Sequence, residues 1–154
     1  MSVAFRRESD EEHLEPKFEL PIPPGPNLVT ARGLALIEAR ISELEARLAD
    51  PLSEEERKAV LRDARYWHSR RATAQVVGKA SGDEVAVGTR VTYSRSGRTH
   101  TIEIVGHDES DPSTHRIGFT APLVRAMLGS GEGEEVSLPG GETLVIETIA
   151  PADP

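Results

Sequence analysis

Charged side chains of opposite sign are segregated over one short stretch of this 154-residue sequence. Asp50, Ser53, Glu54, Glu55 and Glu56 surround a proline, and Arg57, Lys58, Arg62, Arg65, Arg70 and Arg71 follow, with Asp63 the only acid among them. Grouped carboxylates can hold a divalent cation if their oxygens reach about 2.1 Å in near-octahedral order. A run of cations can follow a phosphate backbone, with binding that weakens as salt rises. The same layout also arises without chemistry, because acids suit the positive end of a helix dipole and a basic face can simply be solvated. A second group, His107 and His115 around Asp108, Glu109 and Asp111, has metal-ligating residue types, but scattered loop ligands lack the outer support of a tight site. No metal is expected there. Phosphate-loop and dinucleotide fingerprints are missing, as is a nucleophile elbow, and Gly129 to Gly133 resembles a glycine-rich loop only in composition.

The elements that must carry these residues are legible from period. Leu34, Ile37, Ile41, Leu44 and Leu48 recur at steps of three and four after Thr30, the stripe that one helix buries against another. Thr30 can cap that helix, and Asp50-Pro51 ends it. Ser53 and Glu56 have capping-box spacing for a second helix, whose apolar side runs through Val60, Ala64, Trp67, Ala74 and Val77 with Arg71 interrupting it. Two helices joined this closely predict an antiparallel hairpin over residues 29–77 with the acids at its tip and the cations along its second arm.

Residues 78–84 (GKASGDE) read as a linker. Beyond it the period falls to two. Val85, Val87, Val91 and Tyr93, a turn at Ser96-Gly97, and Ile102, Ile104 and Val105 predict a hairpin. A short strand over 116–119 follows, then a brief helix from Leu123 to Leu128 bracketed by Thr120, Pro122 and Gly129. Val136 to Leu138, a Pro139-Gly140-Gly141 turn and Leu144 to Ile149 close a small, mostly antiparallel sheet domain over 85–150. The fold class expected is α+β, with terminal tails at 1–28 and 151–154. The first tail mixes acids with Pro21, Pro23, Pro24 and Pro26 and reads as extended or disordered, with a partner-binding strand anchored by Phe5 and Phe18 as the alternative.

Bulk composition narrows the function. A net charge of -8 disfavours a general nucleic-acid binder, and the lack of cysteine excludes disulfide scaffolds and thiolate chemistry and fits a reducing compartment, with the cytoplasm as default. The start lacks a run of signal-peptide length, and no stretch approaches a membrane span, so no membrane partner is expected.

Taken in order, Val29-Thr30-Ala31-Arg32-Gly33-Leu34, Ile104-Val105-Gly106-His107-Asp108-Glu109-Ser110-Asp111, Ala121-Pro122-Leu123-Val124-Arg125-Ala126-Met127-Leu128-Gly129 and Leu138-Pro139-Gly140-Gly141 resemble the bacterial GreA/GreB transcription elongation factors. That resemblance implies an N-terminal antiparallel coiled coil entering the secondary channel of RNA polymerase and an FKBP-like C-terminal domain docking at its rim through Ala121, Pro122, Leu123, Arg125 and Ala126. It implies an accessory factor rather than an enzyme, acting as a monomer without cofactor or small-molecule substrate, and meeting nascent RNA or DNA only within the elongation complex. In cleavage-competent members, tip acids help the polymerase hold magnesium. Here the tip departs from that pattern. Pro51 changes the acid spacing, or, in another alignment, Arg62 and Arg65 replace acids. The hairpin is also shorter, similar in this to the regulator of nucleoside diphosphate kinase. A regulator with weak or no stimulation of transcript cleavage is therefore expected, with a true cleavage factor, a dimerising coiled-coil adaptor and a prolyl isomerase as the alternatives.

Overall fold

The computed structural model describes residues 19–153, and these divide into two compact units, one of residues 19–25 and 38–72 and the other of residues 26–37 and 73–153. In the first unit, the helix α1 (Ala31–Leu48), which begins in the second unit, and α2 (Glu54–Thr73) are joined by residues 49–53. Leu44, Val60 and Ala64 are buried together, with Leu48, Leu52 and Trp67 packed around them. The exposed Arg40 guanidinium lies over the Trp67 ring at 5.8 Å, within the reach of a cation–π contact. The expected stripe is present in α1, where Ile37, Ile41 and Leu44 are its buried members.

Both helix starts are capped as their residues predict. The Gly33 N–H donates to Thr30 Oγ1 at 3.0 Å. Ser53 and Glu56 form the reciprocal box, Glu56 N–H to Ser53 Oγ at 3.1 Å and Ser53 N–H to Glu56 Oε1 at 3.2 Å. Those bonds hold the Glu56 carboxyl below its ordinary range. A depressed carboxyl stabilises the fold above its unfolded-state pKa and loses that contribution as pH falls through the folded value. Acidification should therefore fray the first turn of α2, and Ser53→Ala should remove this pH dependence from the far-UV circular dichroism of α2. A pH response unaltered by Ser53→Ala would contradict the capping account.

The second unit holds, beside the start of α1 and a two-stranded pair, a five-stranded sheet covered by a short helix. The strands of that sheet are β3 (Thr89–Arg95), β4 (Arg98–Val105), β5 (Arg116–Gly118), β6 (Glu135–Ser137) and β7 (Thr143–Pro151), in the order β5-β4-β3-β7-β6. The β3–β4 turn places Ser96 and Gly97 both at positive φ, the two-residue geometry that matches strand twist. Tyr93, Ile104, Val124, Met127, Leu144 and Ile146 belong to one core, so the short helix α3 (Pro122–Met127) covers the sheet with Val124 and Met127. A bulge in β7 pairs Thr148 with Thr92 but Ile146 with Tyr93, which is why the buried positions step by three from Ile146 to Ile149.

Several expectations are corrected. The helix α2 stops at Thr73, and Ala74–Val76 forms a strand, β2, paired in parallel with β1 (Asn27–Val29). The β-branched pair Val76-Val77 and the contact of Asn27 with Thr73 across 46 residues favour that exit from the helix. Leu28 is therefore in a strand and not in a tail, while Phe5 and Phe18 lie outside the described residues. The units divide between Ala72 and Thr73 instead of within residues 78–84, because β1 and β2 tie the helix bases into the second unit. Val85 and Val87 are buried but precede the strand. Pairing of β5 with β4 is parallel. The residue capping α3 is Ala121, with Pro122 in its first turn, and Thr120 turns instead to His107.

Candidate functional site

The structure brings together two of the sequence stretches singled out above. Glu109, in a short 3-10 turn after β4, is buried with its carboxylate against the first turn of α1. It accepts from Thr30 N–H at 3.1 Å, from Gly106 N–H at 2.9 Å and from the Thr30 hydroxyl, and the Arg32 guanidinium lies 3.7 Å away. An acid at a helix start is favoured by the helix dipole and satisfies N–H groups that have no partner inside the helix. The two glycines make room for it. A Cβ on Gly33 would overlap the Glu109 side chain, and one on Gly106 would meet Leu28 O at 2.7 Å.

This clamp also separates the residues that had the makings of a metal loop. His107 Nδ1 lies 2.6 Å from Thr120 Oγ1. Asp111 accepts from Ser113 N–H at 3.2 Å and from the Ser113 hydroxyl at 2.6 Å, bonds that hold its carboxyl below the ordinary range. Among the described residues, no three histidine, cysteine or acidic side chains gather as a metal ion would require.

On α3, the surface left over from the core is small and mixed. Pro122 and Arg125 are exposed, while Ala121, Leu123 and Ala126 are half-buried and pack on the core beside Val124 and Met127. Leu128, just beyond, adds an exposed apolar side chain. The helix therefore offers a proline, an arginine and the edges of three apolar residues.

In the helical unit, Asp50, Glu54 and Glu55 are exposed. Ser53 and Glu56 are occupied by the cap. Along α2, Lys58, Arg62 and Arg65 fall on one face at steps of four and three. Arg62 contacts Asp63 at 3.1 Å, and Arg65 pairs with Glu19. Arg57 and Arg71 are exposed, but Arg70 is only 3% exposed and is part of the packed side of the helix. The basic arm thus loses one of its expected members to the interior. Its period could have shown this, since Arg70 falls three and six residues beyond Trp67 and Ala64, on the apolar side.

A cleft of about 280 Å³ in the sheet unit is bordered by Arg32, Val77, Lys79, Glu103, Val105 and Asp153 among others, with no aromatic side chain in its lining. A prolyl-isomerase pocket needs aromatic walls, so this cleft does not support that alternative.

The model of the transcription elongation factor GreA/GreB C-terminal domain matches residues 79–150. Transcription elongation factor GreA of Desulfovibrio desulfuricans is 42% identical over 78 residues, 48% of this chain and 48% of that protein. Its counterpart in Hyphomonas neptunium is 33% identical over 111 residues, 70% of this chain and 57% of that protein. The chain spans about half the length of the curated relatives it matches. The crystal structure of GreA factor homolog 1 (Gfh1) of Thermus thermophilus aligns with 82% of this chain and 99% of that one, at 17% identity and a TM-score of 0.39. Through residues 79–150, which hold the Glu109 turn and α3, the chain belongs to the GreA/GreB family.

Proposed function

We propose that this protein regulates transcript elongation by binding RNA polymerase at the secondary channel, with weak or no stimulation of transcript cleavage. The observation that supports this reading is the family match over residues 79–150, the segment that contains the α3 surface. In this reading the sheet unit is an FKBP-like dock that meets the polymerase through Pro122 and Arg125, flanked by Ala121, Leu123 and Ala126. The two helices act as a coiled coil reaching into the channel. The chain is an accessory, so the polymerase supplies the chemistry.

The cleavage side of the proposal rests on the tip. Magnesium demands carboxylate oxygens at about 2.1 Å in near-octahedral order. Pro51 fixes its own backbone angle and holds Asp50 out of α2, and Glu56 is engaged with Ser53. That leaves Glu54 and Glu55, whose position at the first turn of α2 is explained by the helix dipole alone.

Docking through α3 has a clean test. Arg125→Asp leaves Val124 and Met127 in the core and should reduce affinity for core polymerase about tenfold, the order a single interface anchor contributes, with the unfolding midpoint unchanged. Unaltered affinity in titrations of labelled protein would remove α3 from the interface.

A further inference from the structure

We propose that the cleft in the sheet unit binds a short aliphatic carboxylate, with the acid group of the ligand at Lys79. Every residue that lines this cleft belongs to the second unit. At about 280 Å³ the space lies just under the range of drug-sized sites, about 300–1,000 Å³. Val77, Ala80, Ile104 and Val105 make its lining mainly aliphatic, and with no aromatic ring among the lining residues it offers nothing on which a base or a ring would stack. A chain of about four to eight carbons suits such a space.

The charge left over around the cleft decides the sign of the ligand. Glu103 accepts from Arg90 Nη2 at 3.0 Å and lies 3.6 Å from Arg116 Nε. Asp153 lies 3.5 Å from the same Arg90 nitrogen, and Arg32 has Glu109 at 3.7 Å. Lys79 is the one charged side chain of the lining that has no ionic partner among the described residues. Glu103 does not serve it, being held between two guanidiniums. With Arg90, Arg116 and Glu109 counted beside the lining, four cations face three carboxylates, and the unmatched charge is that of Lys79. A single anionic head on an aliphatic body completes the balance.

Other guests fit this count less well. A cationic ligand would have to take Glu103 or Asp153 from arginines already bound to them. A neutral alcohol would leave Lys79 unmatched, and a phosphate without an apolar body would leave the aliphatic walls wet. Lys79 is exposed, which sets its ammonium at the mouth with the aliphatic lining behind it. This inference does not rest on the reading that the chain acts on RNA polymerase.

Backbone amide chemical shifts of the full chain, followed through titrations with butanoate, hexanoate and octanoate, test the proposal. Saturable shifts are expected at Gly78, Lys79, Ala80 and Ala152, with affinity rising about fourfold per methylene until the cleft is filled. Hexan-1-ol should bind about fivefold more weakly than hexanoate, the order of an exposed ion pair. Lys79→Gln should remove that difference, and Lys79→Arg should keep it. Ala80→Leu, which fills the space without altering charge, should weaken binding of all three acids. No saturable shift up to about 20 mM octanoate, or equal affinity for the three acids, would overturn the proposal. So would an equal response to hexanoate and hexan-1-ol in the parent protein, or a difference between them that survives Lys79→Gln.

Discussion

Glu109→Ala should cost the sheet unit about 4 kcal/mol, the sum expected when buried donors and a nearby charge lose a shared partner. Thr30 N–H and Gly106 N–H would keep no acceptor, and Arg32 would lose its counter-charge. Glu109→Gln should cost less, because one oxygen remains to accept while the new amide N–H faces donors. The same cluster sets the sign for Gly33. In an ordinary helix interior, glycine to alanine gains about 1 kcal/mol. Here the added Cβ would overlap a carboxylate fixed by its hydrogen bonds, so Gly33→Ala should destabilise, by about 1–3 kcal/mol as in overpacked cores. Urea unfolding followed by circular dichroism measures both. A Gly33→Ala variant as stable as the parent, or more so, would show that Glu109 can move aside, and the clamp would then be incidental.

The second large effect concerns the helical unit in transcription. If the proposed function holds, Asp50→Ala with Glu54→Ala should leave any influence on elongation nearly intact, because Asp50 precedes Pro51 outside α2 and the helix dipole alone accounts for Glu54. Arg62→Gln with Arg65→Gln should weaken that influence roughly tenfold at low salt, with the difference narrowing as salt rises. Arg70 does not belong in this comparison, since a buried arginine reports on folding. RNA release from stalled, backtracked elongation complexes gives the readout. If the double acid variant abolished cleavage that the parent protein stimulates, the tip would be functional and the chain a true cleavage factor.

How much of this was legible in the sequence depended on how local the cause was. The stripe through Ile37, Ile41 and Leu44, the Ser53–Glu56 box and the Ser96-Gly97 turn each depend on neighbours within a few residues, and each is present. The β1–β2 pair was not legible, because two three-residue strands gain their partner only when the chain between them has folded back. Nor was the parallel seat of β5 beside β4. Glu109 is hard to single out for a related reason: among His107, Asp108 and Asp111 it is one more acid in a loop of metal-ligating residue types. The available signal was indirect. A glycine three residues after a capping threonine is a poor helix former at a costly position, and its presence asks for a close neighbour. Gly106, three residues before Glu109, asks the same. Both requests are answered by one carboxylate.

Equilibrium binding of the full protein to core RNA polymerase decides whether this chain is the polymerase regulator proposed. Saturable binding is expected, weakened about tenfold by Arg125→Asp and displaced by an established secondary-channel factor. Absence of association with core polymerase, or association that such a factor does not displace, would overturn the proposed function.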